Sequence, residues 1–121
     1  MIFEGGGQFY GFAFAVEFHR ECKTVKLSPS LRDQLTRATE SIVLPLAEGS
    51  AKPTPKDRRR YYSIALGSFR ESQAVLSLAD QSQILAKHDH LGACLYKLTR
   101  DRFARTGNPI SGQFASCHMP D

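Results

Sequence analysis

The strongest concentration of charge in the sequence lies between Lys52 and Arg60, where five cations accompany a single acid, Asp57. Clustered ammonium and guanidinium groups bind phosphates, because each of them neutralises negative charge on a nucleic-acid backbone. We therefore predict a nucleic-acid-binding site made of Lys52, Lys56, Arg58, Arg59 and Arg60. The pattern also leaves open a basic turn whose charges only face solvent.

Two histidines and a cysteine, His88, His90 and Cys94, are spaced as a partial set of metal ligands. A structural zinc site needs four ligands. The remaining candidates, Cys117 and His118, lie in a final segment that has no helical periodicity. The sequence therefore predicts no metal site and no cofactor.

Glu48 and Glu71 are the carboxylates nearest to stretches of small residues, where acid–base chemistry is one option. No nucleophile, base and oxyanion-donor set can be assembled around them, and no G-x-S-x-G, P-loop or H-E-x-x-H motif is present. We therefore predict no catalytic residues and no enzymatic activity. The polar residues on one side of the second predicted helix are expected to form a structural hydrogen-bond network instead: Gln34, Arg37, Ser41 and Glu48.

The composition suits one compact domain, since 41% of the 121 residues are hydrophobic. A formal charge of +4 and a pI near 9.2 permit a polyanionic partner. Three cysteines without a C-x-x-C motif do not make a disulfide framework, which favours a reducing cytoplasm. No apolar run approaches the roughly 18 residues of a membrane span, and no basic secretion signal opens the chain. Export and membrane insertion are therefore disfavoured.

The first predicted helix, from Gln8 to about Val25, carries two apolar stripes on roughly opposite sides. One stripe is Phe9, Phe12, Ala13 and Val16, and the other is Phe14, Phe18, Cys22 and Val25. A surface helix of a monomer needs only one buried face. The second stripe therefore predicts a further covering, either by the rest of the chain or by a neighbouring subunit.

Two more helices begin at cap signals. Ser28-Pro29 predicts the start of a second helix that runs to about Gly49 and is kinked by Pro45. Thr54-Pro55 predicts the start of a third helix that ends between Leu78 and Ser82. The inward stripe of the third helix is predicted to be Tyr61, Ile64, Ala65, Ser68, Val75, Leu76 and Ala79.

A fourth helix is predicted from about Gln83 to Arg105, and its last turns carry a second basic group. Its inward residues are predicted to be Ile84, Leu91, Leu95, Leu98 and Phe103. The basic group is Lys97, Arg100, Arg102 and Arg105. Cations at the carboxyl end of a helix are also stabilised by its dipole, so this group needs no ligand to explain it.

No strand pattern competes with these four helices, so the predicted fold class is all-α. Short connections favour an antiparallel up-down-up-down four-helix bundle. The predicted bundle covers residues 8–105, between a flexible amino terminus at residues 1–7 and a disordered tail at residues 106–121.

Two motifs at matched spacing resemble a known family. Ser41–Gly49 reads S-I-V-L-P-L-A-E-G, and Ile64–Glu71 reads I-A-L-G-S-F-R-E, with Lys56-Asp57 between them. From about Phe9 to Leu98 the chain is similar to the four-helix bundle proteins encoded in intervening sequences of bacterial large-subunit ribosomal RNA genes. Their approximate pattern is S-I-x-x-N-I-A-E-G, a basic loop, then I-A-x-G-S-x-x-E. The matching motif residues here include Arg37, Ser41, Glu48, Gly49, Gly67, Ser68 and Glu71.

The resemblance implies a homo-oligomer, a ring of five subunits with a basic central channel. Related accessory variability determinant proteins of diversity-generating retroelements use such a ring to bind nucleic acid and a reverse transcriptase. Nothing in this chain indicates an adjacent retroelement, so the reverse-transcriptase partnership is not carried over. The chain also departs from the family pattern at Pro45, which stands where the family has Asn and removes a polar side chain.

These observations lead to an expected function. We expect a cytoplasmic, non-enzymatic homo-oligomer that binds RNA or DNA through the five cations between Lys52 and Arg60. The alternative is a scaffolding protein whose oligomeric surface binds another protein. Neither the cellular process nor a sequence preference follows from these residues.

Overall fold

The computed structural model describes residues 6–100, and their side chains from residue 10 onward. Every regular element in this range is an α-helix. The helices are α1 (Gly6–Cys22), α2 (Pro29–Ser50), α3 (Pro55–Leu78), α4 (Ser82–Lys87) and α5 (Asp89–Arg100). The predicted tail and the predicted inward residue Phe103 lie outside the described residues, and α1 begins two residues before its predicted start.

Both predicted caps are confirmed. The hydroxyl oxygen of Ser28 accepts a hydrogen bond from the backbone N–H of Leu31 at 3.3 Å, at the start of α2. The hydroxyl oxygen of Thr54 accepts one from the N–H of Asp57 at 3.1 Å, at the start of α3. Each cap satisfies one of the amide groups that the first turn of a helix leaves without a partner.

Pro45 lies inside α2, which runs without interruption through it and through Ser41 to Leu44, where the sequence predicts a kink. Near its end, Gly49 is buried directly against α3. A Cβ atom at Gly49 would lie 2.8 Å from the Cβ atom of Tyr61 and 3.0 Å from Cε1 of Tyr62. The absence of a side chain at Gly49 therefore sets how closely α2 and α3 approach.

The core contains the second predicted stripe of α1, since Phe14, Phe18 and Cys22 are all buried. The other stripe is covered less completely: Ala13 is exposed, and Phe12 is half-buried. The structure thus confirms one buried face on α1 and leaves apolar surface on the opposite face.

The inward face of α3 differs from the prediction. Tyr62, Phe69 and Ser72 are buried, whereas the predicted Ile64 is 50% exposed. The predicted stripe mixed two adjacent rows of the helix, while the residues at 62, 65, 69, 72 and 76 form one row with spacings of three and four. The prediction was right for Ala65, Val75 and Leu76.

The connection from α1 to α2 is closed by Arg32, which the sequence did not single out. One guanidinium nitrogen, Nη1, donates to the carbonyl of Cys22 at 3.0 Å and to that of Lys23 at 3.3 Å. The other, Nη2, donates to the carbonyl of Val25. Arg32 therefore satisfies carbonyl groups that the end of α1 leaves without intrahelical partners.

The predicted fourth helix is divided at His88 into α4 and α5. His88 is the carboxyl-terminal cap of α4, and its carbonyl accepts a hydrogen bond from the N–H of Leu91 at 3.0 Å. This division corrects the prediction of one continuous fourth helix. Neither Gly nor Pro marks a break here, and the buried side chain of His88 lies at the division instead.

The end of α3 is a left-handed C-cap occupied by Asp80, whose φ is +60°. The N–H of Gln81 donates to the carbonyl of Leu76 at 2.8 Å, and the N–H of Asp80 donates to that of Ser77 at 3.1 Å. This pair of bonds is the Schellman arrangement, in which glycine normally occupies the left-handed position.

Replacing Asp80 by glycine is therefore expected to stabilise the protein. Asp80→Gly removes the steric conflict of a Cβ atom at positive φ and should raise the free energy of unfolding by about 0.5–1 kcal/mol. Urea denaturation followed by circular dichroism measures the change. The control Asp80→Ala removes the carboxylate but keeps Cβ, so equal stabilisation by both variants would contradict the explanation.

Candidate functional site

The five predicted cations are brought together where α2 passes into α3. Lys52 lies in the connection, and Lys56, Arg58, Arg59 and Arg60 lie in the first turns of α3. The ring of Tyr61 is shared by two of them: Nζ of Lys52 is 5.0 Å from the ring centroid, and Cζ of Arg60 is 5.8 Å from it. Cation–π attraction therefore holds two positive groups beside one aromatic surface.

The five cations do not have equal roles. Lys56 and Arg60 are exposed, and the ion pair of Arg60 with Asp57 is long, at 3.9 Å. Arg58 is half-buried, and its Nη1 donates to the carbonyl of Lys52 at 2.9 Å. Arg58 thus closes the α2–α3 connection, so part of its hydrogen-bonding capacity is already used within the chain.

Arg59 is also half-buried, and its Nη1 atom is fully buried without a hydrogen-bond partner among the described residues. The accessible positive charge of this cluster is therefore carried mainly by Lys56 and Arg60, with Lys52 at its edge. We call these three residues and Tyr61 the basic cluster.

Part of the second basic group lies at the same end of the molecule. A Cβ atom at Gly11 would lie 3.5 Å from Leu98 and 4.0 Å from Leu46, so the ends of α5 and α2 meet around Gly11. Lys97 and Arg100 flank Leu98, and the guanidinium of Arg100 lies 5.1 Å from the ring centroid of Tyr96. Arg102 and Arg105 lie outside the described residues.

The motif residues of α2 lie on its solvent side rather than in a buried network. Arg37, Ser41 and Glu48 are exposed, and Arg37 pairs with Asp33 at 3.1 Å. Within residues 10–100 no hydrogen bond joins Gln34, Arg37, Ser41 and Glu48 to one another, so the predicted network is wrong for the chain as described. Water can satisfy these exposed groups, and the fold does not require them to pair.

The motif residues of α3 are exposed as well, with the exception of half-buried Ser68. Gly67 and Glu71 are exposed, and nothing lies within 4 Å of a Cβ atom built at Gly67. No other helix of the described chain therefore packs against Gly67. Gly49 alone among the motif glycines meets a helix of the same chain.

The exposed motif residues of α2 and those of α3 lie on the outer side of the contact between these two helices, which we call the α2–α3 seam. On α2, Thr39 contacts His19 of α1 at 2.7 Å, and Gly49 contacts α3. At 100° per residue, Ser41 and Glu48 lie beyond Gly49, on the side of α2 away from Thr39. The same construction on α3 places Gly67 and Glu71 away from α5, so the motif residues line the outer side of the α2–α3 seam. Leu44 of α2 and Ile64 of α3 are exposed apolar side chains on the outer faces of these two helices.

The histidines predicted as partial metal ligands lie at the α4–α5 division. His88 is 1% exposed, and its Nε2 atom is 2.8 Å from Oε1 of Glu21. Cys94 is fully buried in the core and is not grouped with them. Glu17 of α1 is grouped instead: ligand atoms of Glu17, His88 and His90 all lie within 4.8 Å of one another.

The environment shifts the pKa values of groups around this junction. The hydrogen bond from His88 is the largest cause that lowers the pKa of Glu21, and Lys87 lowers it further. Burial lowers the pKa of His90, and the neighbouring His88 adds to the effect. Burial raises the pKa of Cys22 to about 12, which keeps its thiol protonated and unreactive near neutral pH.

In the described residues every regular element is a helix, and one cluster of basic side chains lies where α2 passes into α3. None of the described helices is long and apolar enough to cross a membrane. The family model described as 23S rRNA-intervening sequence protein matches residues 11–99. The chain therefore belongs to the 23S rRNA-intervening sequence protein family, as its two motifs predicted.

Two further comparisons find no relative. No curated protein matches the chain. No solved structure matches it.

Proposed function

We propose that the protein is a non-enzymatic, homo-oligomeric nucleic-acid-binding protein that contacts the phosphate backbone through the basic cluster. The observation that carries this proposal is the pair of cations, Lys52 and Arg60, held against Tyr61 beside exposed Lys56. Cations contact phosphates, and an aromatic ring between them offers a surface on which an unpaired base can stack. Lys97 and Arg100, at the same end, would extend the positive field.

We further propose that the helices run antiparallel, up-down-up-down, and that copies of the chain assemble into a ring of five. Contacts of Gly49 with Tyr61 and of Gly11 with Leu98 support the antiparallel arrangement. The resemblance to the family supports the number of subunits. Incompletely covered apolar surface on α1, with exposed Leu44 and Ile64, supports self-association. A cytoplasmic location is supported by the buried, unpaired thiol of Cys22.

The test is a gel-shift titration with a labelled mixed-sequence RNA and a DNA of the same sequence. The double variant Lys56→Gln and Arg60→Gln is compared with Lys23→Gln and Lys26→Gln, which remove the same charge from exposed positions beside the α1–α2 connection. The first variant should bind more weakly at every salt concentration. Its plot of log affinity against log salt should be shallower by about 2 than that of the wild-type protein.

The control variant should retain the wild-type slope. Binding that is insensitive to salt, or equal loss in both double variants, would contradict the proposed interface. Arg58 is left unchanged because it closes the α2–α3 connection, and its removal would confound folding with binding.

A scaffolding role is the second candidate, and the exposed apolar side chains on the outer faces of α2 and α3 favour it. Affinity capture from a nuclease-treated lysate separates the two candidates. A protein partner held directly should survive the nuclease, whereas partners bridged by nucleic acid should be lost. Leu44→Asp, at a 63% exposed side chain, should release a partner bound on the outer face of α2 without unfolding the chain.

A further inference from the structure

The α4–α5 division places two histidines against two acids of α1. His88 ends α4 and His90 lies in the first turn of α5, while Glu17 and Glu21 are one turn apart on α1. Ligand atoms of Glu17, His88 and His90 lie within 4.8 Å of one another. The helix break is what allows residues two positions apart to present their rings to the same side.

One ring nitrogen of His88 forms a hydrogen bond of the kind that metal-binding histidines make with their second nitrogen. Its Nε2 atom lies 2.8 Å from Oε1 of Glu21, and Nζ of Lys87 lies 3.1 Å from the other carboxylate oxygen. The carboxylate of Glu21 accepts a hydrogen bond from Nε2 of His88. With the proton on Nε2, the lone pair of the ring is on Nδ1. Metal-binding histidines commonly donate their second nitrogen to a carboxylate in this way.

The Nδ1 atom of His88 is buried and has no hydrogen-bond partner among the described residues. The ring itself is 99% buried, since only 1% of the residue is exposed. Leaving a buried polar atom unpaired is costly, so most such atoms in native proteins have a hydrogen-bond partner or another ligand. A lone pair aimed away from Glu21 is suited to accept a cation.

The two imidazole rings are held in place by aromatic residues of α1. Phe14 packs edge-on against His90 with ring centroids 4.2 Å apart, and Phe18 packs against His88 at 5.1 Å. Preorganised rings lose little entropy when they bind a ligand. Glu17 is exposed and His90 only half-buried, so an ion has access from solvent.

The local charge also favours a cation, although the whole chain is basic. Glu17, Glu21 and Asp89 surround the histidines, and Lys87 is the cation paired with Glu21. The acids therefore exceed the nearest cation by two charges.

We propose that Glu17, His88 and His90 bind one divalent transition-metal ion, represented by Zn²⁺, with Nδ1 of His88 as the buried ligand. Two imidazoles and a carboxylate suit Zn²⁺ and its neighbours in the series better than Mg²⁺ or Ca²⁺. Bonds of 2.0–2.2 Å require ligand atoms about 3.4 Å apart. Small movements of the exposed Glu17 side chain and of half-buried His90 would be needed to bring them to this distance. Water would complete the coordination, and Glu21 is a positioning residue rather than a ligand.

The sequence prediction of no metal site was made with Cys94 as the third candidate. The structure buries Cys94 elsewhere and supplies Glu17 from a helix about 70 residues earlier in the chain. The residues near His88 in the sequence could not indicate Glu17, because Glu17 is distant in the chain.

Titration of the metal-free full chain with Zn²⁺, followed by isothermal calorimetry, tests the proposal. One ion per chain should bind to the wild-type protein. Glu21→Gln keeps a hydrogen-bond acceptor but removes the charge, and should weaken binding by about 10- to 100-fold. His90→Ala and Glu17→Gln each remove a ligand at an accessible position and should weaken binding at least as much. Circular dichroism checks that each variant is folded.

Two controls make the result specific. His118→Asn removes a histidine of the final segment, and Glu40→Gln removes an exposed acid elsewhere on α2; both should bind Zn²⁺ as the wild-type protein does. Long-range ¹H–¹⁵N spectra of the imidazole groups give a second measurement. The Nδ1 resonance of His88 should shift on Zn²⁺ addition while Nε2 stays protonated. No binding to the wild-type protein, unchanged binding by folded His90→Ala, or an unaffected His88 would overturn the proposal.

Discussion

Gly49→Ala is expected to lower the free energy of unfolding by about 2 kcal/mol, because the added Cβ atom overpacks the α2–α3 contact. That atom would lie 2.8 Å from the Cβ atom of Tyr61, which is fixed to the backbone of α3 and cannot rotate away. The helices must separate to admit it. The loss is expected despite the higher helix propensity of alanine, which by itself favours the variant by about 1 kcal/mol.

Gly67→Ala is the matched control for this prediction. It makes the same chemical change on an exposed face, where nothing lies within 4 Å of the new atom. Gly67→Ala should therefore stabilise the chain by up to about 1 kcal/mol through helix propensity alone. Urea denaturation of both variants at one protein concentration measures the difference, since assembly makes stability depend on concentration. Equal stabilisation of the two variants would show that α2 and α3 are not in close contact at Gly49.

Arg32→Ala is expected to cost about 2 kcal/mol, since it removes a charged donor from three carbonyl groups at the end of α1. These carbonyls lie at the end of α1 and just beyond it, where the regular hydrogen bonding of the helix stops. The positive guanidinium also interacts favourably with the carboxyl end of the helix dipole. Arg32→Lys should recover little of the loss, because an ammonium group cannot reach the carbonyls in the same forked geometry.

Arg37→Ala provides the comparison within the same helix. The side chain of Arg37 is 69% exposed, and among the described residues it pairs with Asp33 alone, one turn away on α2. Ion pairs of this kind contribute about 0.3–0.5 kcal/mol, so the change should be small. Thermal denaturation at matched ionic strength measures both variants. A loss for Arg32→Ala no larger than that for Arg37→Ala would refute the capping role of Arg32.

Local sequence signals predicted much of the helical structure. Ser28 and Thr54 fix the starts of α2 and α3 through bonds to residues three positions away, so the information lies within a few residues. The end of α3 near Leu78 was predicted for the same reason. The buried stripe that contains Phe14 and Phe18 follows from helical periodicity.

Features that depend on contacts distant in the chain were missed. His88 breaks the last predicted helix because its ring is buried against Phe18 and bonded to Glu21, 67 positions earlier. Arg32 acts on carbonyl groups of a different helix. Single-sequence patterns hold no signal for such pairs, since either partner alone resembles an ordinary surface residue.

The candidate nucleic-acid site was predicted in composition but not in detail. Charge alone grouped Lys52 with the cations of α3, and the structure confirms their proximity. The structure also shows that Arg58 donates a hydrogen bond to the α2–α3 connection. Charge alone could not predict this contact, because it depends on the direction in which the Arg58 side chain leaves α3. Tyr61 was predicted to face inward, yet it lies between two cations at the edge of the core.

The short helix α4 is expected to be less stable than the long helices on either side of it. It has six residues, has no side-chain cap at its start, and is far shorter than a helix that persists alone in water. Its persistence depends on buried Ile84 and on the anchoring of His88 at its end. The segment from Ser82 to Lys87 is therefore the natural place for the chain to open locally while the long helices stay folded. Each such opening would expose the imidazole of His88 to solvent. Water or an ion could then enter or leave the α4–α5 junction without global unfolding.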